Sequence, residues 1–318
     1  MKKRSYKQNH VDLISYINNI LTNSRKKDSM KGRLRNLLYR LGEFSNTRQT
    51  RLYSDSFNYS MLEEFVYFLK HCHLLKGDKT KFYRHNNICC FIRSLKTVLN
   101  AVYRDGYDVN MSYKEFQIKT EEVRSVYLTQ EELNKLASLN LRNKEAAATR
   151  DRFLIGCYIA QRFSDYSRIT VEQNFDLKAN EIRLKTVKTG ATVVIPIHPQ
   201  IHEMLKRNNY ILPKLNSLAA FNACIKRLCK RAGIVEQLLL EYTEGTTVIR
   251  KKVPKYKLIS SHTARRTGIT LMYLSGMQLW EIMLISGHKT EEACLKYMCI
   301  SREENAKNLQ SHPFFQGK

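Results

Sequence analysis

The distribution of proline constrains the fold of this chain more than any other feature of its sequence. The chain has 318 residues but only five prolines, and all of them lie after residue 190. Because proline interrupts a helix from within, its absence from residues 1–120 permits long helices there. Apolar residues recur at helical spacing in that region, as in VDLISYINNIL and FIRSLKTVLNAVY. We therefore expect residues 1–118 to form an almost wholly helical domain.

Capping signals locate the helices of this first domain. Four helices are predicted, at about 10–23, 30–44, 60–74 and 80–105. The segment Ser60–Glu63 has the pattern of a capping box and should start the third helix. Gly106 stands where the fourth should end, since glycine accepts the left-handed backbone that closes many helices. Periodicity fades after residue 107, and we place an interdomain linker at 119–127.

A second domain, at 128–318, is also expected to be mainly helical but to contain a small antiparallel sheet. The capping box Thr129–Glu132 opens it. Two helices follow, near 130–138 and 145–161. Two runs rich in β-branched residues, EIRLKTV and ATVVIPI, flank the turn Lys188–Gly190 and predict a hairpin. A third short strand is predicted at 246–252, and the chain after residue 260 is predicted to be helical.

The charge of the chain is strongly unbalanced. It has 54 Lys and Arg against 29 Asp and Glu, a net charge of +25 that is spread along the whole sequence. Such a field attracts polyanions, so DNA, RNA or an anionic membrane surface could each be the partner. A generically basic surface is the alternative. No apolar run is long enough to span a membrane, and the charged N-terminus MKKRSYKQNH is a poor secretory signal.

The cysteines point to a reducing compartment. None of the eight has C-x-x-C spacing, and most stand in apolar helical contexts where a free thiol behaves as a small hydrophobe. We therefore expect a cytoplasmic protein. His71–His73 resembles a fragment of a metal site, but no second pair of ligands follows, so we expect no zinc.

Several residues of the second domain are candidates for chemistry, although each has an ordinary structural explanation. Arg162 follows the apolar helix FLIGCYIAQ and could be a surface or capping residue. Lys188, in the hairpin turn, could simply be solvated. His262 and Arg265 fall on one face of a helix beginning at Ser261, where a surface pair is the commoner arrangement.

Two more candidates follow toward the C-terminus. His288 comes after Gly287 between helices, where a histidine often caps. Tyr297 falls on a helix opening at Thr290, and most helical tyrosines only pack. The spacing of the candidates is more informative than any one of them: Arg265 follows His262 by three residues, and Tyr297 follows His288 by nine.

The block SSHTARRTGITLMYLSGMQLWEIMLISGHKTEEACLKYMCIS resembles the signature of the tyrosine recombinase, or phage integrase, family. That signature has His-x-x-Arg, a helix, Gly-His after a second helix, and a nucleophilic tyrosine nine residues on. Two further blocks occur in the family's order. AQRFSDYSRI resembles its first arginine box, with Arg162 and Asp165, and LKTVKTGATVVIPI resembles the segment of its catalytic lysine. The resemblance covers roughly residues 125–300.

The resemblance implies a site-specific DNA recombinase that cleaves and rejoins strands through a covalent 3′-phosphotyrosine. The implied catalytic residues are Arg162, Lys188, His262, Arg265, His288 and Tyr297, with Asp165 orienting an arginine. These residue types suit the reaction. Guanidiniums stabilise the charge on phosphate oxygens, an imidazole can accept the tyrosine proton, and a lysine can protonate the leaving 5′ oxygen. No metal or other cofactor is expected.

Two assignments within this block have rivals. Lys185 is also followed by threonine, but the Thr-Gly pair after Lys188 resembles the family's turn more closely, so Lys188 is preferred as general acid. Arg266 points about 100° around the helix from Arg265 and is expected to contact backbone phosphate or an acidic neighbour.

The family resemblance also implies partners, and two alternative functions stay open. Four protomers would act on two specific recombination sites, and the tail after Tyr297 would dock on a neighbouring protomer. About ten residues precede the first helix, so we expect no additional arm-binding domain. A type IB topoisomerase and a catalytically silent DNA-binding protein of the same fold are the alternatives. The sequence leaves open whether the outcome is integration, excision, inversion or resolution.

Overall fold

A computed structural model describes the chain as two compact units. The described residues are 9–23, 28–75, 78–215, 217–310 and 312–317. One unit comprises Met1–Val123 with Leu240–Lys251, and the other comprises Arg124–Leu239 with Lys252–Lys318. The chain is mainly helical with small antiparallel sheets, as the sequence predicts. Among the described residues, no helix is both long and apolar enough to cross a membrane.

Amphipathic helices make up most of the first unit. They are α1 (Leu13–Asn23), α2 (Asp28–Arg48), α3 (Tyr59–His71) and α4 (His85–Arg104). Their apolar faces meet in one core that includes Leu37, Phe65 and Leu95, each fully buried. As predicted, α4 ends just before Gly106, whose φ of +89° reverses the chain.

The start of α3 differs from the prediction. Its N-cap is Asn58, which has an extended backbone and accepts a hydrogen bond from the backbone N–H of Met61 at 2.8 Å. Ser60 is already helical, so the capping box predicted at Ser60–Glu63 is wrong. Asparagine caps as well as serine does, and Asn58 stands two residues earlier in the chain.

Strands replace the facing ends of the predicted third and fourth helices. Strand β1 (His73–Leu75) pairs antiparallel with β2 (Asp78–Phe82). The predicted bounds at 74 and 80 are therefore too generous. Short apolar runs next to charged residues fit a strand as well as a helix end, and periodicity alone does not separate them.

The segment Leu240–Lys251, which is remote in sequence from the rest of the first unit, belongs to a second hairpin. This hairpin consists of β6 (Gln237–Glu244) and β7 (Thr247–Pro254). The strand predicted at 246–252 is confirmed, but its partner β6 was missed. Thr243 donates its backbone N–H to the carboxylate of Glu121 at 3.0 Å, and the Glu244 carboxylate accepts from the backbone N–H of Phe82 at 3.2 Å. These contacts lie within the first unit.

The second unit surrounds the apolar helix α6. Its elements are α5 (Gln130–Ala137), α6 (Lys144–Ile159), α7 (Phe163–Tyr166), α8 (Val171–Asn174), β3 (Phe175–Asp176), β4 (Glu181–Lys185), β5 (Thr192–Pro196), α9 (Pro199–Arg207), α10 (Leu218–Arg231), α11 (Ser261–Leu274), α12 (Leu279–Ser286), α13 (Glu291–Leu295) and α14 (Arg302–Leu309). The predicted capping box is present, because Thr129 and Glu132 exchange reciprocal hydrogen bonds. The sheet order is β3-β4-β5, antiparallel throughout.

Close packing of α6 against α11 positions the residues that follow α6. A Cβ at Gly268 of α11 would lie 2.2 Å from the Cys157 carbonyl oxygen and 2.8 Å from the Ala160 Cβ. Only glycine allows this approach. Ala160 itself ends α6 in the left-handed conformation, with φ +53°, and turns the chain out of the helix. Arg265, three residues before Gly268, is thereby brought to the end of α6.

Candidate active site

Arg162 and Asp165 lie just beyond α6. Arg162 caps α7 with an extended backbone, and its Nη1 is buried without a hydrogen-bond partner in the described part of the chain. Asp165 is fully buried. Its Oδ1 accepts from the backbone N–H of Val187 at 2.7 Å, whereas its Oδ2 has no described partner. The carboxylate thus holds the hairpin turn, and the hydrogen bond to an arginine that the sequence suggested is not observed among the described residues.

The turn after β4 carries Lys188 on its exposed side. It is closed by two hydrogen bonds, from the Thr186 N–H to the Ala191 carbonyl and from the Gly190 N–H to the Thr186 carbonyl, both 2.9 Å. Gly190 adopts φ +68°. The positive charge of Lys188 contributes to lowering the pKa of both His262 and His288, so its ammonium group lies in their electrostatic vicinity.

Arg265 is fully enclosed, with no exposed surface. It lies on α11, which begins at Ser261 as predicted. Its Nη1 donates to the Ala160 carbonyl at 3.0 Å, and its Nη2 lies 2.8 Å from His288 Nε2. Its Nε is buried without a described partner. Burial, followed by the charge of Arg162, lowers the pKa of Arg265 to about 10, so the guanidinium stays charged at neutral pH.

His288 is held as a neutral imidazole. It follows Gly287, which ends α12 in the left-handed conformation with φ +70°. Burial, and then the charges of Arg265 and Arg162, lower the pKa of His288 to about 3. Arg265 can only donate, and its Nη2 is closer to Nε2, at 2.8 Å, than to Nδ1, at 3.3 Å, which favours Nε2 as the acceptor. Nδ1 lies 2.8 Å from Ser286 Oγ.

His262 occupies the first turn of α11, on the same face as Arg265. Burial lowers its pKa to about 4, and the charges of Arg266 and Arg265 add to the effect. This imidazole is therefore neutral at pH 7. Arg266 itself has a buried Nε without a hydrogen-bond partner in the described residues.

Tyr297 faces both imidazoles. Its ring centroid lies 5.1 Å from that of His262 and 5.0 Å from that of His288. The Cζ of Arg265 lies 5.1 Å from the same centroid. Tyr297 is not on a helix, as the sequence suggested, because α13 ends at Leu295 and the tyrosine stands in the turn that follows. Its N–H donates to the Cys294 carbonyl at 2.9 Å.

The six residues predicted to be catalytic come from well-separated segments of the second unit and form one cluster of positive charge around a tyrosine. Within the described ranges, no acidic side chain forms an ion pair with Arg162, Lys188 or Arg265. Buried guanidinium groups without anionic partners are costly, and an anion such as a phosphodiester would satisfy them.

Sequence reasoning missed two polar residues that support this cluster. Gln161 is fully buried, and its Nε2 donates to the carbonyls of Ile159 at 3.1 Å and Ile285 at 2.7 Å. Ser286, also buried, fixes the ring of His288. Neither could be found from a spacing rule, since Gln161 is simply the neighbour of Arg162 and Ser286 precedes an apparent Gly-His turn.

Comparison with protein families agrees with this geometry. Residues 126–304 match the phage integrase family, and residues 12–118 match the phage integrase SAM-like domain. The chain belongs to the phage integrase family. It is a tyrosine-type site-specific DNA recombinase, as the signature residues predicted. No curated protein matches this recombinase in sequence.

Solved structures share the fold of this recombinase at low sequence identity. A Tn1549 transposon integrase in complex with transposon right end DNA is 16% identical, with a TM-score of 0.67 over 95% of this chain and 99% of that one. A lambda integrase dimer bound to a COC′ core site is 13% identical, with a TM-score of 0.63 over 91% and 95%. A lambda integrase tetramer bound to a Holliday junction is 14% identical, with a TM-score of 0.59 over 92% and 84%.

Proposed function

We propose that this recombinase cleaves DNA by attack of the Tyr297 hydroxyl on a scissile phosphodiester. The Tyr297 Oη–phosphorus bond forms, the bond from phosphorus to the 5′ oxygen breaks, and the strand is held as a 3′-phosphotyrosine. Reversal by a 5′ hydroxyl rejoins the strand without ATP, because the phosphodiester energy is retained. The observation that carries this proposal is the position of Tyr297, whose ring faces His262, His288 and Arg265 at centroid distances of 5.0–5.1 Å.

Arg162 and Arg265 are proposed to bind the non-bridging phosphate oxygens. Negative charge on these oxygens must be stabilised in the transition state, and a preorganised guanidinium does so without rearrangement. Both arginines carry a buried nitrogen that has no hydrogen-bond partner in the described structure, Arg162 Nη1 and Arg265 Nε. These N–H groups are the donors that a phosphate oxygen would occupy.

His262 is the better candidate to receive the Tyr297 proton. The acceptor nitrogen of His288 already faces Arg265, and its other nitrogen faces Ser286, so this ring is suited to holding the guanidinium in place. Its Nε2 would have to give up that contact before it could accept a proton. Among the described residues His262 makes no comparable hydrogen bond, and it is neutral at pH 7 because its pKa is lowered to about 4. A neutral imidazole can take the proton as the tyrosine attacks.

Lys188 is proposed to donate a proton to the departing 5′ oxygen. It stands on the exposed side of the hairpin turn, near enough to both histidines to lower their pKa values. Asp165 is proposed to support this step indirectly, since its carboxylate accepts from the N–H of Val187, the residue before Lys188. It would then orient the hairpin turn instead of an arginine.

The partners of this recombinase are proposed by analogy with its structural relatives. Its net charge of +25 fits double-stranded DNA carrying specific recombination sites. The lambda integrase tetramer on a Holliday junction supports a homotetramer on DNA as the active assembly. The free state of the described cysteines is consistent with action in the cytoplasm.

Trapping the covalent intermediate tests the proposal. Wild-type protein incubated with a suicide substrate, whose cleaved strand cannot be rejoined, should give a denaturant-stable adduct with a 3′-phosphotyrosine. Tyr297→Phe should bind the same DNA and form no adduct. Tyr273→Phe is the matched control, because that hydroxyl bonds to Asn305 in the same unit, and it should form the adduct normally. An undiminished adduct with Tyr297→Phe would assign the nucleophile elsewhere.

A further inference from the structure

Two segments of the second unit are joined by the hydrogen bonds of two side chains, and only one of these side chains has a role in the proposed reaction. The first segment is the end of α6, residues 159–162, and the second is the end of α12, residues 285–288. Arg265 joins them, because it donates to the Ala160 carbonyl and to His288. The amide of Gln161 joins them again, because its Nε2 donates to the carbonyls of Ile159 and Ile285.

Helix ends explain why these carbonyls need donors. The last turn of a helix leaves carbonyl oxygens without intrahelical partners. At the end of α6, Ala160 takes the left-handed conformation, and its own carbonyl is bonded by Arg265. The carbonyls of Ile159 and Ile285 receive the Gln161 N–H groups instead. Buried carbonyls that lose a donor are costly and will seek another one.

Arg265 is a donor that already bonds to both segments, at Ala160 and at His288. If Gln161 did not bond to the carbonyls of Ile159 and Ile285, they would compete with a DNA phosphate for the Arg265 guanidinium. The same loss would loosen Ile285 and, with it, the turn that carries His288. Arg162 follows Gln161 directly, so its backbone would shift as well. Phosphoryl transfer depends on such positions, since a misplacement of about 1 Å can lower a rate about 100-fold.

We propose that Gln161 is a positioning residue for strand cleavage, which keeps Arg265 available to the phosphate by satisfying the carbonyls of Ile159 and Ile285. This inference rests on the proposed roles of Arg162, Arg265 and His288. Gln161 is not expected to touch DNA. It is fully buried, and its amide oxygen has no hydrogen-bond partner within the described residues, so its contribution comes from its two N–H groups.

The test compares Gln161→Met with a matched variant away from the site. Methionine keeps the length of the side chain but donates no hydrogen bond. Asn208→Leu removes a similar bridging amide, one whose Nδ2 donates to Asp151 Oδ2 and to the Met204 carbonyl, both at 2.9 Å. Both variants should lower the thermal midpoint. At saturating suicide substrate, Gln161→Met should cleave about 10- to 100-fold more slowly than wild type, and Asn208→Leu at the wild-type rate.

A second readout is the pKa of His288, which reports on the segment 285–288. Titration of the histidine rings of the full chain by NMR should show the pKa of His288 raised in Gln161→Met relative to wild type, because a loosened ring is less buried and less closely held against Arg265. In wild type and in Asn208→Leu its pKa should stay depressed, near the value of about 3. If Gln161→Met does not fold, Gln161→Asn is used, since it keeps an amide that is one methylene too short to span both carbonyls.

The outcomes separate this inference from the proposed function. An unchanged cleavage rate or an unchanged His288 titration in the Gln161 variant overturns the positioning role. Arg265→Ala is measured in parallel. If that variant cleaves at the wild-type rate, the proposed catalytic assignment fails and the inference fails with it. If Arg265→Ala is inactive while Gln161→Met cleaves as fast as Asn208→Leu, only the inference is overturned.

Discussion

Arg265 and Lys188 stand on two sides of one proposed active site, yet their surroundings differ sharply. Arg265 has no exposed surface and is held by the Ala160 carbonyl and the His288 ring. Lys188 is exposed on a hairpin turn that the carboxylate of Asp165 anchors through the neighbouring Val187. The proposed phosphate-binding side is therefore organised by protein contacts, whereas the proposed proton-donating side can still adjust. Preorganisation is most valuable where charge develops, and mobility is tolerable where a proton is delivered.

The largest effect is expected on the organised side. Arg265→Ala should lower the cleavage rate about 10³- to 10⁵-fold at saturating DNA, because it removes the stabilisation of the phosphate oxygens. DNA affinity should fall only modestly, since the dispersed charge of +25 sustains binding. Single-turnover cleavage and a binding titration measure the two quantities. Arg227→Ala, which removes an exposed arginine of α10, should leave the cleavage rate unchanged. A loss of rate with Arg265→Ala that merely follows the loss of binding would contradict the contrast between the two sides.

The next effect concerns the adjustable side. Lys188→Ala should cleave ordinary DNA about 10²- to 10⁴-fold more slowly, the usual range for a lost general acid. It should recover most of its rate on a substrate with a 5′-bridging sulfur, because a thiolate leaves without a proton. Arg265→Ala should not recover on that substrate.

Lys185→Ala is the control for this experiment. Lys185 is the last residue of β4 in the same hairpin, and the variant should cleave both substrates at the wild-type rate. Sulfur rescue of Lys185→Ala would show that the wrong hairpin lysine was chosen. Rescue of neither variant would assign proton donation to another group.

A smaller effect is expected on the free energy of unfolding, which should distinguish the close contact between α6 and α11 from ordinary helix packing. Gly268→Ala should lower the free energy of unfolding by about 1–3 kcal/mol, because its Cβ would press on the Cys157 carbonyl and on Ala160. Gly42→Ala, in α2 with open space around it, should raise the free energy of unfolding by about 0.5–1 kcal/mol. Urea denaturation of both variants checks the signs. Equal effects would mean that the contact between α6 and α11 is not as tight as described.

The smallest effect is a pH dependence of stability. The pKa values of His262 and His288 are lowered to about 4 and about 3 in the folded state. Above pH 6.5 both rings are neutral in either state and contribute nothing to this dependence. Below pH 6.5 the unfolded chain binds protons that the folded chain does not, so stability falls as the pH falls toward those lower values. Thermal midpoints at pH 7 and pH 5 should differ less in His288→Asn than in wild type. An equal difference would indicate a ring that titrates normally in the folded protein.

The sequence predicted which residues come together around Tyr297, because the motif fixes which residue types recur at which spacing; their catalytic roles stay a prediction. It also predicted the hairpin around Lys188, whose β-branched runs and glycine turn leave little choice of structure. The hydrogen-bond partners of individual side chains were harder to predict. The sequence did not predict that Asp165 accepts from the Val187 N–H, a backbone group whose direction depends on how the hairpin packs, and its expected role in orienting an arginine stays a prediction.

Other misses share this dependence on tertiary contacts. Gln161 acts through carbonyls exposed at two helix ends, and these come together only when α6, α11 and α12 are packed. Strand β6 was overlooked because QLLLEYTE contains three consecutive leucines, which mask the alternation of buried Leu238, Leu240 and Tyr242 with exposed residues. Tyr297 was placed on a helix because nothing in the sequence marks the end of α13 at Leu295.

The hairpin segment 240–251 has a consequence for synthesis on the ribosome. It belongs to the first unit, yet it is made about a hundred residues after that unit's other residues. At typical translation rates the delay is on the order of ten seconds. During that time Glu121 and the Phe82 backbone N–H lack the partners that Thr243 and Glu244 later provide. The N-terminal helices can therefore collapse early, but the nascent chain completes this unit only after residues 124–239 of the second unit have been made.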